Sequence, residues 1–270
     1  MLLRSSLLTG SLLLSLSANS AVSFTNYRIF IDKKSTKQDF LLFNRGLESQ
    51  SCDISLIDYN VTSDGKLTPL PNSQKAVNSA QPYIRISPRK IQVTGQATQK
   101  VKILARGFNK AKANELHSYL SIKCIETSLA EQASETTSLP EDQLKSTSFR
   151  TSIVNRIPII IRKEHRPVDI EFSNVNVSSQ GEYTEIDLNL TRGGDRSIYG
   201  AITVADDQGN LLATRGGISS YIQTSSLNKK FRFKTTNTST YTITFKEDGR
   251  YGGTESKSIS ISNSGQPLDI

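Results

Sequence analysis

The chain has 270 residues, with 33 Lys and Arg against 25 Asp and Glu, 36% hydrophobic residues, no Trp, two Cys and two His. So few sulfur and imidazole groups argue against a Cys/His structural zinc site. The formal charge of +8 reads as a solvated cationic surface, because no basic run is interleaved with aromatics in the way a single-strand nucleic-acid binder needs.

Residues 1–20, MLLRSSLLTGSLLLSLSANS, carry one early cation (Arg4), a short Leu-rich centre, and the small residues Ala18 and Ser20 before Ala21. They read as a secretory signal cleaved after Ser20. The apolar run is broken by Ser and Gly and is too short for a membrane helix. No later segment is apolar enough to span a bilayer, so an exported product with no membrane insertion is expected.

From Ala21 onward the chain reads as strands. YRIFID, DFLLFN, CDISLIDYNV, YIRISP, KIQVTG, QKVKILAR and HSYLSIKCIE are short, rich in β-branched and aromatic residues, and separated by Gly, Asn, Ser or Pro. In KVKILAR the alternation sets Val101, Ile103 and Ala105 against Lys100, Lys102 and Arg106, the period of a half-buried strand. Residues 127–148 are polar, acidic in the middle and without a strand period, and are expected to form a mobile loop. They lead into SFRTSIVNRIPIIIRKEHRP, an apolar strand set with cations. After Pro167 come VDIEFSNVNV, EYTEIDLNLT, SIYGAITVAD, GNLLATRG, KKFRFKTT, STYTITFKE and SKSISIS, punctuated by DDQGN, TRGGD and EDGRYGG. Strands at this spacing with no helical stretch predict an all-β chain of two antiparallel sandwiches, residues 21–166 and 167–270.

Catalytic signatures are missing: there is no G-x-S-x-G, no H-E-x-x-H, no P-loop and no Cys-x-x-Cys. His117 and His165 read as structural, and neither an enzyme nor a cofactor is expected.

The order AVSFTNYRIFID, LLFNRG, YIRISPRKIQVTGQATQKVKILAR, NELHSYLSIKCIE and NRIPIIIRKEHRP resembles the PapD-like periplasmic pilus-assembly chaperones. SIYGAITVADDQGNLLATRGGISSYI looks like the Tyr-Gly and Gly-Asn-Leu region of that family's second sandwich. The resemblance implies two immunoglobulin-like domains. It implies a periplasmic protein that lends the closing strand of its first domain to pilin-like subunits lacking a strand, then passes them to an outer-membrane usher without ATP. Unpaired strand edges invite aggregation, and strand addition supplies both ladder bonds and side-chain contacts.

By the period of two, Phe149, Thr151 and Ile153 are the side chains expected to enter the subunit. Ile157, Ile159 and Ile161 continue the same parity and are expected in the domain's own core. Thr151 is a weak donor, so a bulge or a shift of face to Ser152 and Val154 stays open. Family members clamp the subunit's C-terminal carboxylate between two cations. Arg28 matches one of them. The position of the other, a Lys, falls on Pro158, as in archaic or alternative branches; Arg156, on the same face, is the nearest substitute. Cys52 and Cys124, at the start and end of strands that the resemblance makes neighbours, are expected to form a structural disulfide. The competing reading is a secreted two-domain adhesin or pilus subunit, which needs a missing strand or a free N-terminal extension. Here strand-forming sequence begins almost at Ala21.

Overall fold

A computed structural model describes residues 22–71, 73–127, 152–224 and 226–268. The expected signal peptide, the expected loop beyond Thr127, Phe149 and Thr151 lie outside the described residues.

The first half contributes β1 (Val22–Phe24), β2 (Ile29–Ile31), β3 (Lys37–Asn44), β4 (Gln50–Ile57), β5 (Tyr59–Val61), β6 (Leu67–Pro69), β7 (Ile84–Ser87), β8 (Lys90–Val93), β9 (Thr98–Ala105), β10 (Glu115–Glu126) and β11 (Ile153–Arg162). Two sheets, ordered β1-β3-β9-β7 and β2-β11-β10-β4-β8, face each other. Between them lies a core that includes Ile29, Ile31, Phe40, Leu42, Val101, Ile103, Leu120, Ile122, Ile157, Ile159 and Ile161. The period in β9 is as expected: Val101, Ile103 and Ala105 are buried, Lys100 and Lys102 exposed. The chain start belongs to both sheets. β1 runs antiparallel to β3, whereas β2 crosses over and pairs in parallel with β11, so the chain start ties the two layers together.

CDISLIDYNV is not one strand. It breaks at Asp58, whose buried carboxylate accepts from the Ser118 hydroxyl at 2.5 Å and the Ala76 N–H at 3.0 Å. A buried carboxylate must be hydrogen-bonded, and meeting that demand diverts the backbone. Beyond it, β5 and β6 form a separate hairpin that the run of apolar letters conceals.

Cys52 and Cys124 stand directly opposite each other on β4 and β10, 4.1 Å apart at Cα, and are joined as a disulfide across 72 residues of sequence. Thiol labelling of the unreduced, denatured protein is expected to find no free cysteine. Reduction should lower stability by about 4 kcal/mol on the chain-entropy estimate for such a loop; two free thiols, or an unchanged urea midpoint after reduction, would contradict this.

The second half supplies β12 (Ile170–Gln180), β13 (Tyr183–Arg192), β14 (Ile198–Ala205), β15 (Leu211–Ser220), β16 (Ser226–Lys234), β17 (Thr240–Glu247) and β18 (Ser256–Ser262). Its sheets, β12-β13-β16 and β15-β14-β17-β18, enclose Ile186, Leu188, Leu190, Ile202, Val204, Phe231, Ile243 and Phe245.

Charge ties the two sandwiches together. Arg162, at the end of β11, pairs with Glu115 at 2.8 Å and donates to the carbonyls of Ser197 at 3.0 Å and Gly252 at 3.1 Å; Glu115 in turn accepts from the Ser197 N–H at 3.0 Å. All of this is buried. Beside it Arg196, fully buried, grips both oxygens of Glu247 at 2.7 and 3.0 Å. The Arg162–Glu115 pair bridges the domains through Ser197 and Gly252, while Arg196–Glu247 braces the second domain beside that junction.

Candidate binding cleft beside the closing strand

β11 is asymmetric in its pairing. On one side it pairs with β10 along all 10 of its residues; on the other it meets β2 only from Ile159 to Ile161. Among the described residues no strand pairs with the second edge of Ile153 to Pro158. Pro158, which has no N–H to offer, sits where the open edge gives way to the closed one, the kind of place in a sheet where proline is tolerated. Side-chain burial divides at the same point. Ile157, Ile159 and Ile161 are in the core, while Ile153 and Val154 are each 39% exposed. Ile153 faces the side of Cys124, its cross-strand partner, beyond the rim of the core. The two faces of this half-strand thus each offer one exposed apolar side chain, Ile153 or Val154, at their open end.

Where the open edge ends, the cleft between the domains begins. One step beyond the Ile29–Ile159 pair, the register sets Arg28 beside Pro158. Arg28 is only 4% exposed. Its guanidinium lies 4.1 Å from the Tyr199 ring centre, with Tyr221 at 5.9 Å and Tyr251 at 6.0 Å, so its charge is held by aromatic faces. One terminal nitrogen donates to the Ser219 hydroxyl, and Nε has no partner. Among the described residues no carboxylate forms an ion pair with it.

Around Arg28 the cleft is aromatic. Tyr221 stacks on His117 with centres 4.2 Å apart, and its hydroxyl meets that of Tyr119 at 3.3 Å. Burial drives the Tyr119 and Tyr251 phenols above their ordinary pKa, and the proximity of Tyr221 adds to it for Tyr119. Burial, helped by the positive charge of Arg28, brings His117 down to about 3. The imidazole is neutral at pH 7 and its Nε2 lacks a partner. Because the folded pKa lies below the unfolded value, this histidine's contribution is complete above about pH 6.5 and fades as pH falls from there towards 3. His117→Phe keeps the stack on Tyr221 and removes the proton site. It should flatten the acid side of the stability profile, by on the order of a few kcal/mol at pH 4; an acid limb identical to wild type would show that His117 is not its source.

Arg156 has different surroundings. It is exposed, and its guanidinium lies 5.7 Å from the Tyr59 ring centre. Tyr59 packs edge-on against Tyr119 at 4.6 Å. Burial raises the Tyr59 phenol, with Arg156 pulling the other way. Arg28 and Arg156 thus occupy one face of one sheet, the first buried and the second at the open end, linked through Tyr221, Tyr119 and Tyr59.

The second domain's share of this site went unread in the sequence. Tyr199, Ser219, Tyr221 and Tyr251 all close over Arg28; the first three lie in the stretch that resembles the family's second sandwich, but the resemblance assigned none of them to this site. The signal, visible only afterwards, is tyrosine and serine recurring at strand ends on the side facing the first domain. Phe149 and Thr151 lie outside the described residues. Among the described residues no group of His, Cys, Asp and Glu could hold a metal ion, and no helix is long and apolar enough to cross a membrane.

No family model matches the chain, and no curated protein does. Solved structures match over most of its length. The YadV chaperone is 9% identical with a TM-score of 0.43, covering 93% of this chain and 98% of its own. The Pseudomonas aeruginosa CupB2 chaperone is 9% identical with a TM-score of 0.45, covering 87% and 98%. The Salmonella enterica SafA pilin in complex with the SafB chaperone is 11% identical with a TM-score of 0.43, covering 94% and 95%. Over most of its length the chain is thus similar to structures described as chaperones, one of them in complex with a pilin.

Proposed function

We propose that this protein is a periplasmic chaperone that binds pilin-like subunits by lending them an edge of its closing strand and delivers them to an outer-membrane usher. The observation that carries the reading is the half-open strand. From Ile153 to Pro158, β11 offers one edge with which no strand among the described residues pairs, and exposed Ile153 and Val154. It runs directly into a cleft whose buried Arg28 pairs with no carboxylate among the described residues. An apolar edge of this kind is normally blunted or covered because it recruits other strands; retained beside a cationic cleft, it suits a partner that brings a strand ending in a carboxylate. Phe149 and Thr151, ahead of Ile153, would extend the lent segment, and the signal-like residues 1–20 support the periplasmic address. Strand pairing and apolar burial supply the binding energy. No nucleotide and no cofactor enter the cycle, and release would occur by exchange with a better-fitting strand of the next subunit.

Expressed with a pilin-like subunit encoded beside it, the protein should purify from the periplasm as a soluble one-to-one complex. The subunit should fall severalfold in soluble abundance when the chaperone gene is deleted. A subunit equally soluble and abundant without it sinks the proposal.

A further inference from the structure

The hairpin of β5 and β6 leaves the first domain and reaches across to the second. Its base is fixed by the Leu70 N–H to the Asp58 carbonyl at 2.9 Å. Its tip, Thr62-Ser63-Asp64-Gly65, is closed by the Gly65 N–H to the Thr62 carbonyl at 2.9 Å. The tip rests on the other domain. The Ser226 N–H donates to the Ser63 carbonyl at 3.4 Å, and a Cβ on Gly65 would stand 2.8 Å from the Leu227 side chain and 3.6 Å from Thr224. Gly65 also has φ +82°, a conformation in which any side chain is strained. Midway along the hairpin, buried Val61 packs with Ile160 and Tyr221 in a small cluster separate from both cores. Tyr59, at its start, packs on Tyr119.

One of these contacts, Val61 on Tyr221, falls on the aromatic cover of Arg28. Tyr221, which shields the guanidinium and stacks on His117, is itself pressed down by Val61. A charge this deeply buried, with an unpartnered Nε and no ion pair among the described residues, is costly to keep; a carboxylate would satisfy it, but solvent-side access is closed. Resting on the function proposed above, we infer that residues 59–69 form a strap that seals the Arg28 site in the unoccupied protein and lifts from the second domain when a chain-terminal carboxylate enters. The device makes anchoring conditional. A strand must first dock on the open edge of β11, at the exposed Arg156 end, before the buried cation becomes available.

Arginine-selective labelling by phenylglyoxal, read by mass spectrometry on the intact folded protein, tests the strap with no subunit present. In the wild type Arg28 should label as slowly as Arg196, and Arg232, at the surface, quickly. Gly65→Val, which cannot keep its turn or its fit against Leu227, and Val61→Ser, which empties the small cluster, should each raise Arg28 labelling about tenfold by making local opening easier. Arg162 and Arg196 should stay protected in both variants, as the internal check that neither domain has unfolded. If Arg28 labels quickly in the wild type, or stays protected in both variants while they remain folded, the strap reading is wrong. Should either variant expose Arg162 as well, Tyr221→Ser with the hairpin intact replaces it, and the same two outcomes decide. Capture of a pilin-like subunit is then measured separately. Faster capture by the strap variants supports the inference. An exposed Arg28 with no capture by any form leaves the strap standing and overturns the chaperone reading instead.

Discussion

Ile153→Asp is expected to abolish subunit capture while leaving the protein folded. Ile153 is 39% exposed and lies beyond the rim of the core, so a carboxylate there remains hydrated in the free protein and its melting point should move little. In a complex the same carboxylate would be carried into an apolar groove with no partner, at a cost of several kcal/mol, which removes three or more orders of magnitude of affinity. Ile159→Asp is the counterpart. Ile159 is 0% exposed, enclosed between the sheets and flanked on both sides by paired strands, and the substitution should unfold the first domain, a loss beyond about 4 kcal/mol. Melting curves and pull-downs on the two variants separate the lent half of β11 from the half kept for the core. An Ile153→Asp protein that unfolds, or one that folds and still captures subunit, removes the division.

Arg162→Met is expected to be among the most damaging single changes outside the cores. It leaves Glu115 buried without its ion pair and frees the carbonyls of Ser197 and Gly252 that Arg162 satisfies. Breaking a buried pair from one side costs about 3–5 kcal/mol, roughly 10 °C in melting temperature for a chain of this size. The sign reverses for the double change. Glu115→Leu together with Arg162→Met removes both charges, and an apolar replacement for a buried pair is often neutral, so most of the loss should be recovered. What should not be recovered is the fixed relation of the domains, since the donors to Ser197 and Gly252 are gone; small-angle scattering should report a broader distribution of interdomain distances. A single variant as stable as wild type, or a double variant no better than the single, would mean that the pair does not bridge the domains in the way its contacts indicate.

The strands were legible because their cause is local. Alternation in KVKILAR and in the run from Ile157 to Ile161 states which face is buried, and the same faces are buried in the fold. Asp58 hid the hairpin because a polar residue within an apolar run looks like a solvent-facing strand position. Only the folded chain brings Ser118 and the Ala76 N–H to it and makes it a break. The fate of Arg28 was half legible. A cation on the first strand could be placed in the cleft by resemblance, but its burial depends on Tyr199, Tyr221 and Tyr251, which are more than 170 residues away in sequence. Arg162 was passed over for a similar reason: its partners Glu115 and Ser197 lie far from it along the chain, and no spacing rule connects them.

The place where β2 takes over the edge of β11 sets a direction as well as a limit. A strand added along the free edge can extend only as far as Pro158, because the next positions are already hydrogen-bonded to Ile29 and its neighbours. From Ile153 to Ile157 that leaves a berth of roughly 16 Å at about 3.3 Å per residue. The cationic wall stands at the Pro158 end. A guest whose final carboxylate lies against that wall must therefore travel along the berth from Ile153 towards Pro158, the same way β11 itself runs, and so is added in parallel. A guest of opposite polarity would bring a positively charged or mid-chain segment against Arg28 and leave its carboxylate in open water. Orientation is thus chosen by a dead end with a charge on it, with no need to read the guest's sequence.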